Sequence, residues 1–197
     1  MCPGKYQTKR TKTDQKGNTI MGKNSSKRVI SPVGRLAFES LFTASVNKMN
    51  PNAPAKFETL IVFDKDEDIS VLEEIVAEAI AAKFGADVPA GLYMPIRDAA
   101  DKAKHGEPFT SGGKMIKVAS KFQPGIVDNK LQPIIDASEI YSGVKARVQL
   151  HAFAYDNATK GVGFGLDNVQ KMADAPTTSG QADAASAFDA VADEDLL

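Results

Sequence analysis

Two neighbouring segments in the C-terminal third of the chain alternate so regularly that they leave little choice of secondary structure. Small and apolar residues fill the even positions of residues 144–155, and the odd positions hold Lys145, Arg147, Gln149, His151, Phe153 and Tyr155. Because successive side chains of a β-strand point to opposite faces, this pattern predicts a strand with an apolar inner face and a basic, aromatic outer face. The next segment alternates Gly161, Gly163 and Gly165 with Val162, Phe164 and Leu166. We expect the two segments to pair as a hairpin across the short connection Asp156–Lys160.

Three earlier segments also alternate like strands: Gly34–Val46, Ala55–Asp64 and Lys114–Phe122. Between the second and the third, Ile69–Gly85 repeats its apolar residues at helical spacing, and Ser70 with Glu73 fits a capping box at its start. The predicted order is therefore two strands, one amphipathic helix and three strands. This order predicts a mainly β fold, a small and highly curved sheet or five-stranded barrel with the helix between strands 2 and 3.

Charge is unevenly distributed over the 197 residues, although the net charge is only −1. The first 35 residues contain nine basic residues and one acid, whereas residues 172–197 contain six acids and no base. Both ends are rich in polar and small residues, which predicts a basic disordered arm at 1–30, a folded domain at 31–172, and a flexible linker with an acidic tail at 173–197. Arms of this kind either contact a polyanion or are simply solvated, and both alternatives stay open.

Several functional classes lack their sequence signature in this chain. No apolar run is long enough to cross a bilayer, the N-terminus lacks the apolar stretch of a signal peptide, and the single Cys2 suits a reducing compartment, so we expect a cytoplasmic protein without a membrane partner. His105 and His151 have no zinc-ligand spacing, and no phosphate-binding or nucleophile motif is present. The acidic run Asp64–Asp68 is better explained as a solvated loop before a helix than as a Mg²⁺ site. We expect no cofactor, no metal and no enzymatic activity.

The outer face of the fourth strand has the residue types that bind single-stranded nucleic acid. Lys117 and Lys121 share one face of the third strand, and with Lys145 and Arg147 they are candidates for phosphate contacts. His151, Phe153 and Tyr155 are candidates for stacking on bases, and the strip at Gly163 and Gly165 would admit those bases closely. The alternatives are that the rings pack under a loop, that the cations form an ordinary solvated face, and that the glycines only provide barrel curvature.

The second half of the chain resembles a family of phage-encoded single-stranded-DNA-binding proteins. The resemblance rests on PGIVD (124–128), IYSGVKARV (140–148), KGVGFGLDNVQK (160–171) and a trailing acidic tail. It extends over residues 31–172 and is strongest after Lys114, with GRLAFESLF and FETLIVFDKDED resembling the start of the family pattern. RDAADK (97–102) departs from the denser acidic and glycine-rich patch of many members, and the basic first 30 residues are not part of the pattern.

The resemblance implies an OB-fold and binding of single strands with little sequence preference. The expected function is that of a phage protein that coats and protects single-stranded DNA during replication or recombination in the cytoplasm of an infected bacterium. The acidic tail would recruit replication or recombination proteins and compete with DNA for the basic face. A non-enzymatic structural or partner-recruiting protein built on the same barrel remains the alternative. The sequence does not decide between a monomer and a homodimer.

Overall fold

The computed structural model of the protein describes residues 26–46 and 51–176. Eight strands form in these two ranges: β1 (Arg28–Ile30), β2 (Gly34–Ser45), β3 (Lys56–Val62), β4 (Ile96–Asp98), β5 (Lys114–Ser120), β6 (Gly125–Val127), β7 (Lys145–Asp156) and β8 (Lys160–Ala173). A single α-helix, α1 (Ser70–Phe84), follows β3, and two 3-10 helices span Ala99–His105 and Ala137–Glu139. The five predicted strands and the predicted helix are present, and β1, β4 and β6 are short additions that the sequence pattern did not indicate.

Five of the strands close into a barrel. β7 pairs with β2, β2 with β3, β3 with β5, β5 with β8, and β8 pairs back onto β7. The β5–β8 pair is parallel and the other four are antiparallel. β1 extends the sheet beside β7, β4 pairs with β5, and β6 pairs with β8. A closed barrel of five strands is the architecture of the OB-fold, which confirms the predicted fold class.

The inner residues of the barrel form the main core. Val144, directly before β7, and the even-numbered residues Ala146 to Leu150 of β7 are almost completely buried, and Val162, Phe164 and Leu166 of β8 belong to the same cluster. The helix α1 contacts β7 and β8 and contributes Leu72, Ile75 and Val76 to this core. A second, smaller cluster around Phe109 includes Leu60 of β3 and Met115 of β5. Because Leu60 alternates with the inward-facing Ile61, this second cluster lies on the outer side of the barrel, against the 3-10 helix Ala99–His105.

The ends of α1 agree only in part with the sequence prediction. The predicted capping box is wrong, because Ile69 occupies the N-cap and makes no side-chain cap. The Asp68 carboxylate instead accepts a hydrogen bond from the Ser70 N–H at 2.9 Å, and this bond lowers the pKa of Asp68 below its usual value. At the other end Gly85 adopts φ +60° and its N–H donates to the carbonyl of Ala81, as expected of a glycine that ends a helix.

Most of the predicted arm and tail lies outside the described residues, namely 1–25 and 177–197. The described part begins within the predicted arm, since β1 (Arg28–Ile30) pairs with β7, and it continues through the end of β8 at Ala173. Between residues 26 and 176, leaving out 47–50, no helix combines the length and the apolar character that a membrane span requires.

Candidate nucleic-acid interface

The outer face of β7 carries the predicted row of polar and aromatic side chains. The even residues of β7 from Ala146 to Ala152 are buried, while Lys145 and Phe153 are exposed and Arg147, Gln149, His151 and Tyr155 are half-buried. The alternation predicted from the sequence is therefore confirmed, and none of these six side chains points into the barrel. We call His151, Phe153 and Tyr155 the ring row.

The register of the β7–β8 hairpin places each ring opposite a glycine. His151 pairs with Gly165, Phe153 with Gly163, and Tyr155 with Gly161. The rings occupy space that a side chain at the glycine would need: a Cβ on Gly163 would lie 2.9 Å from Cζ of Phe153. A Cβ on Gly161 would lie 2.8 Å from the hydroxyl of Tyr155 and 2.7 Å from the carbonyl oxygen of Tyr93. A Cβ on Gly165 would collide with the imidazole of His151. The glycines of β8 thus allow the rings to lie over the neighbouring strand.

This packing corrects the interpretation of the glycines as a bare strip for bases. Gly165 is buried and Gly163 is half-buried, because the ring row covers both. An aromatic ring packed over a cross-strand glycine is a known way to stabilise a strand that glycine would otherwise weaken. The surface that a ligand would meet is therefore formed by the rings, and the backbone of Gly163 and Gly165 lies beneath them.

Lys117 of β5 lies on the same side of the barrel as the ring row. Ala119 pairs with Gly165 across the parallel β5–β8 ladder, and Gly165 pairs in turn with His151. Lys117 precedes Ala119 by two positions in the strand and so shares its face, whereas Lys121 follows the last residue of β5 and lies in a bend. We call this surface of β5, β8 and β7 the ring face. Lys117 and Lys121 are exposed, and the ammonium of Lys117 lies 2.8 Å from the carboxylate of Glu58 on β3.

Asp167 anchors one end of the ring row. Its Oδ2 lies 3.0 Å from Nδ1 of His151 and 3.2 Å from Nε of Arg28 on β1. The β7–β8 register shifts between Leu150–Leu166 and Gln149–Asn168, so Asp167 is the extra residue of a β-bulge. Arg28 and Asp167 were not predicted as site residues. Asp167 continues the odd-numbered series of Gly161, Gly163 and Gly165, and this spacing was the signal that could have identified it.

The polar side chains beyond the bulge hydrogen-bond one another. Nε of Arg147 donates to the side chain of Gln170 at 2.9 Å, and Nδ2 of Asn168 donates to the side chain of Gln149 at 2.8 Å. Arg147 is therefore held against β8 and is less free to follow a ligand than the exposed Lys145. Both residues lie where the sequence predicts, at the end of the strand away from Tyr155.

The ring row has regular spacing and continues into a cleft at its far end. The centroids of His151 and Phe153 are 6.3 Å apart, and those of Phe153 and Tyr155 are 6.4 Å apart, with interplanar angles of 46° and 47°. Tyr155 then lines a cleft with Tyr93 and Lys160. Tyr93 comes from an irregular segment without periodicity, so no pattern in the sequence indicated it. Stacking surfaces beside cations are the groups that bind single-stranded nucleic acid.

Within residues 26–46 and 51–176, no group of three or more histidine, cysteine, aspartate or glutamate side chains is arranged to hold a metal ion. Asp64 of the acidic run that follows β3 accepts a hydrogen bond at 3.0 Å from the guanidinium of Arg35, an ordinary surface ion pair.

Comparisons with known proteins give a family and a fold. A family model described as "Enterobacter phage Enc34, ssDNA-binding protein" matches residues 27–197. The single-stranded DNA-binding protein from bacteriophage Enc34, solved in complex with ssDNA, is similar with a TM-score of 0.65 and 18% identity over 76% of this chain and 88% of that chain. The gp2.5 single-stranded DNA-binding protein encoded by bacteriophage T7 has a TM-score of 0.56 and 17% identity over 77% and 88% of the two chains. The comparison with curated proteins gave no match.

Proposed function

We propose that this chain, which belongs to the family described as the ssDNA-binding protein of Enterobacter phage Enc34, binds single-stranded DNA and coats it during phage replication or recombination. The ring face is the surface that we assign to this binding. Its three rings stand outward, and lysines flank them on both β5 and β7. Binding would protect the strand and remove its secondary structure by mass action.

The single observation that supports this surface is that each ring of the ring row packs over the glycine opposite it on β8. The tip of the Phe153 ring lies over Gly163, which fixes the position of the ring, while the residue stays 44% exposed. An open aromatic face held in a fixed orientation stacks a base with a small loss of side-chain entropy. Phe153 and Tyr155 would stack bases, while Lys117, Lys121, Lys145 and Arg147 would neutralise phosphates. His151, between Asp167 and Phe153, would add a third ring.

A salt titration tests this assignment. A labelled single-stranded oligonucleotide is titrated at several salt concentrations with the native chain and with the double variant Lys145→Ala, Arg147→Ala. Each lost phosphate contact lowers the slope of log K against log salt by about 0.7 on a single strand, so the double variant should lose about 1.4. Lys65→Ala with Lys130→Ala removes the same charge from exposed turn positions outside the ring face and should keep the slope. An equal loss in both double variants would show a general charge effect and refute the assignment.

We also propose that the protein acts by binding alone, without catalysis, in the cytoplasm of the infected cell. Incubating single-stranded DNA, duplex DNA and RNA with the protein, with and without Mg²⁺, separates binding from cleavage in one gel. Intact single-stranded DNA shifted in preference to duplex supports the proposal, and a Mg²⁺-dependent loss of full-length DNA contradicts it. Failure to shift any nucleic acid would favour the alternative of a structural or partner-recruiting protein.

The acidic tail is a separate part of the proposal, supported by its sequence. Six acids and no base in residues 172–197 would repel DNA and attract the basic ring face, and partner enzymes would bind the same segment. Removing residues 183–197 should tighten DNA binding at low salt and abolish capture of replication or recombination proteins. Sedimentation of the same two proteins decides between a monomer and a homodimer.

A further inference from the structure

Phe38 of β2 combines an exposed ring with a rare backbone conformation. Its φ is +51°, in the left-handed region that a phenylalanine seldom adopts, and the residue is 49% exposed. The β2–β3 register shifts between Ala37–Leu60 and Ser40–Glu58, so Phe38 lies in a β-bulge, and its N–H donates to Oγ of Ser142 at 3.3 Å. Bulges redirect side chains, and strained residues of this kind cluster at ligand-binding positions.

The ring of Phe38 is supported from one side and lies beside cations. It stacks on Phe109 with a centroid distance of 5.5 Å and an interplanar angle of 22°, and His105 meets it edge-on at 5.1 Å. Phe109 is itself buried in the outer cluster, so it supports the exposed ring of Phe38 in a fixed position. The ammonium of Lys102 lies 5.7 Å from the centroid of Phe38. This arrangement repeats the elements of the ring face, an outward aromatic ring with a basic neighbour.

A cleft joins Phe38 to the ring face. Phe38, Lys102 and Lys117 line this cleft together with Glu58. Lys117 belongs to both surfaces, because β5 lies between β3 and β8 in the barrel. With neighbouring strands about 4.8 Å apart, Phe38 on β2 and the ring row on β7 lie on opposite flanks of Lys117, each two strands away. A strand of nucleic acid that crosses the barrel perpendicular to its β-strands would meet both.

We propose that Phe38 is a second base-stacking residue, which receives a nucleobase of the same DNA strand that contacts the ring face, with Lys102 and Lys117 binding the adjoining phosphates. This inference rests on the proposed DNA binding and extends its surface over β5 and β3 to β2. Glu58 is the acid that faces this cleft. It holds Lys117 at 2.8 Å in the free protein, and a phosphate would take its place.

The test compares Phe38→Ala with a control that has the same backbone conformation. Leu131 is also exposed and has φ +65°, but it lies in the turn that follows β6, which contacts β8 at Gln170 and not at the glycines under the ring row. Binding of an oligonucleotide of about 16 nucleotides, the upper site size of one OB-fold, is measured for Phe38→Ala, Phe38→Tyr and Leu131→Ala. Loss of one stacked base predicts a fall in affinity of about 5-fold to about 150-fold for Phe38→Ala. Phe38→Tyr and Leu131→Ala should bind like the native chain.

A photo-crosslink gives a second readout that folding stability does not mimic. The native chain is irradiated with an oligonucleotide containing 5-iodouracil, and the modified peptide should include Phe38. Should Phe38→Ala lower the melting temperature markedly, Phe38→Leu replaces it, because leucine keeps the apolar volume and removes the aromatic face.

The outcomes separate this inference from the proposed function. A fall in affinity for Phe38→Ala and Phe38→Leu, together with the crosslink, supports the inference. Native affinity in Phe38→Ala, while Phe153→Ala binds weakly, overturns the inference and leaves the ring face intact. An equal loss in Leu131→Ala also overturns it, since the effect would then come from backbone strain. Absence of binding by the native chain contradicts the proposed function itself.

Discussion

Replacing Phe153 with alanine should separate DNA binding from folding stability. A phenylalanine buries about 150–250 Å² when fully covered, and Phe153 is 44% exposed, so removing its ring uncovers on the order of 100 Å². At about 25 cal/mol per Å² this loss is worth about 2.5 kcal/mol of unfolding free energy, or a melting temperature lower by roughly 5–10 °C for a domain of this size. The expected loss in DNA affinity is about 5-fold to about 150-fold, from one stacked base.

Gly163→Ala supplies the companion variant, since it acts on the same ring without removing it. The new Cβ would stand 2.9 Å from Cζ of Phe153, so the tip of the ring must shift away from β8, whereas alanine in a strand is stabilising over glycine by about 0.5–1 kcal/mol. We therefore expect Gly163→Ala to bind DNA more weakly than the native chain while its unfolding free energy stays level or rises. Fluorescence anisotropy gives the affinity and urea unfolding gives the stability. Native affinity in both variants would refute the role of the ring row in stacking.

Three further predictions concern charge, acid stability and sequence preference. Glu58→Gln removes the acid that competes with phosphate for Lys117, so DNA affinity at low salt should rise, with the salt slope unchanged because the number of phosphate contacts stays the same; an unchanged affinity argues that Lys117 contacts no phosphate. Hydrogen bonds from Ser111 and Thr110, and the nearby Arg35, hold the pKa of Glu107 below its usual 4.5. The ionised Glu107 carboxylate therefore stabilises the fold fully above its unfolded pKa, and this stabilisation is lost as the pH falls through its folded pKa. Below pH 4.5 the unfolding free energy measured in urea should thus fall less for Glu107→Gln than for the native chain. Homopolymeric and mixed oligonucleotides of equal length should compete within about tenfold of one another, because stacking is sequence-tolerant, and a wider spread measured by competition would indicate base-specific readout.

The sequence was sufficient for the barrel and for the direction of its side chains. The alternation in residues 144–155 required an apolar inner face, and the burial of Val144, Val148 and Leu150 matches it. The helix Ser70–Phe84 followed from the spacing of its apolar residues in the same way. Both predictions depend on local periodicity. The tertiary structure preserves this periodicity because the spacing of the apolar residues decides which face of the element is buried.

The parts that the sequence did not predict depend on register and on backbone conformation. The sequence pattern predicts an open strip at the glycines of β8, because nothing local shows that His151, Phe153 and Tyr155 would lie directly opposite them. The three residues between Asp156 and Lys160 set this register, and the bulge at Asp167 then shifts it by one. Strict alternation beyond the bulge would place Asn168 inside the barrel, but it is exposed. Phe38 is outside any periodic signal, since its exposure follows from a bulge and a positive φ.

The polar side chains of the ring face hydrogen-bond to one another, and this explains why the expected binding has little sequence preference. Reading a base requires fixed donors and acceptors that are free to meet its edge, but the side chains of Gln149 and Asn168 bond to each other, and Arg147 bonds to Gln170. His151 is engaged with Asp167 in the same way. The groups that remain available are the faces of the rings and the ammonium groups of the lysines, and every nucleotide offers a π-face and a phosphate to these. On this proposal, the hydrogen bonds that hold the face in shape are also the ones that would keep it from distinguishing one base from another.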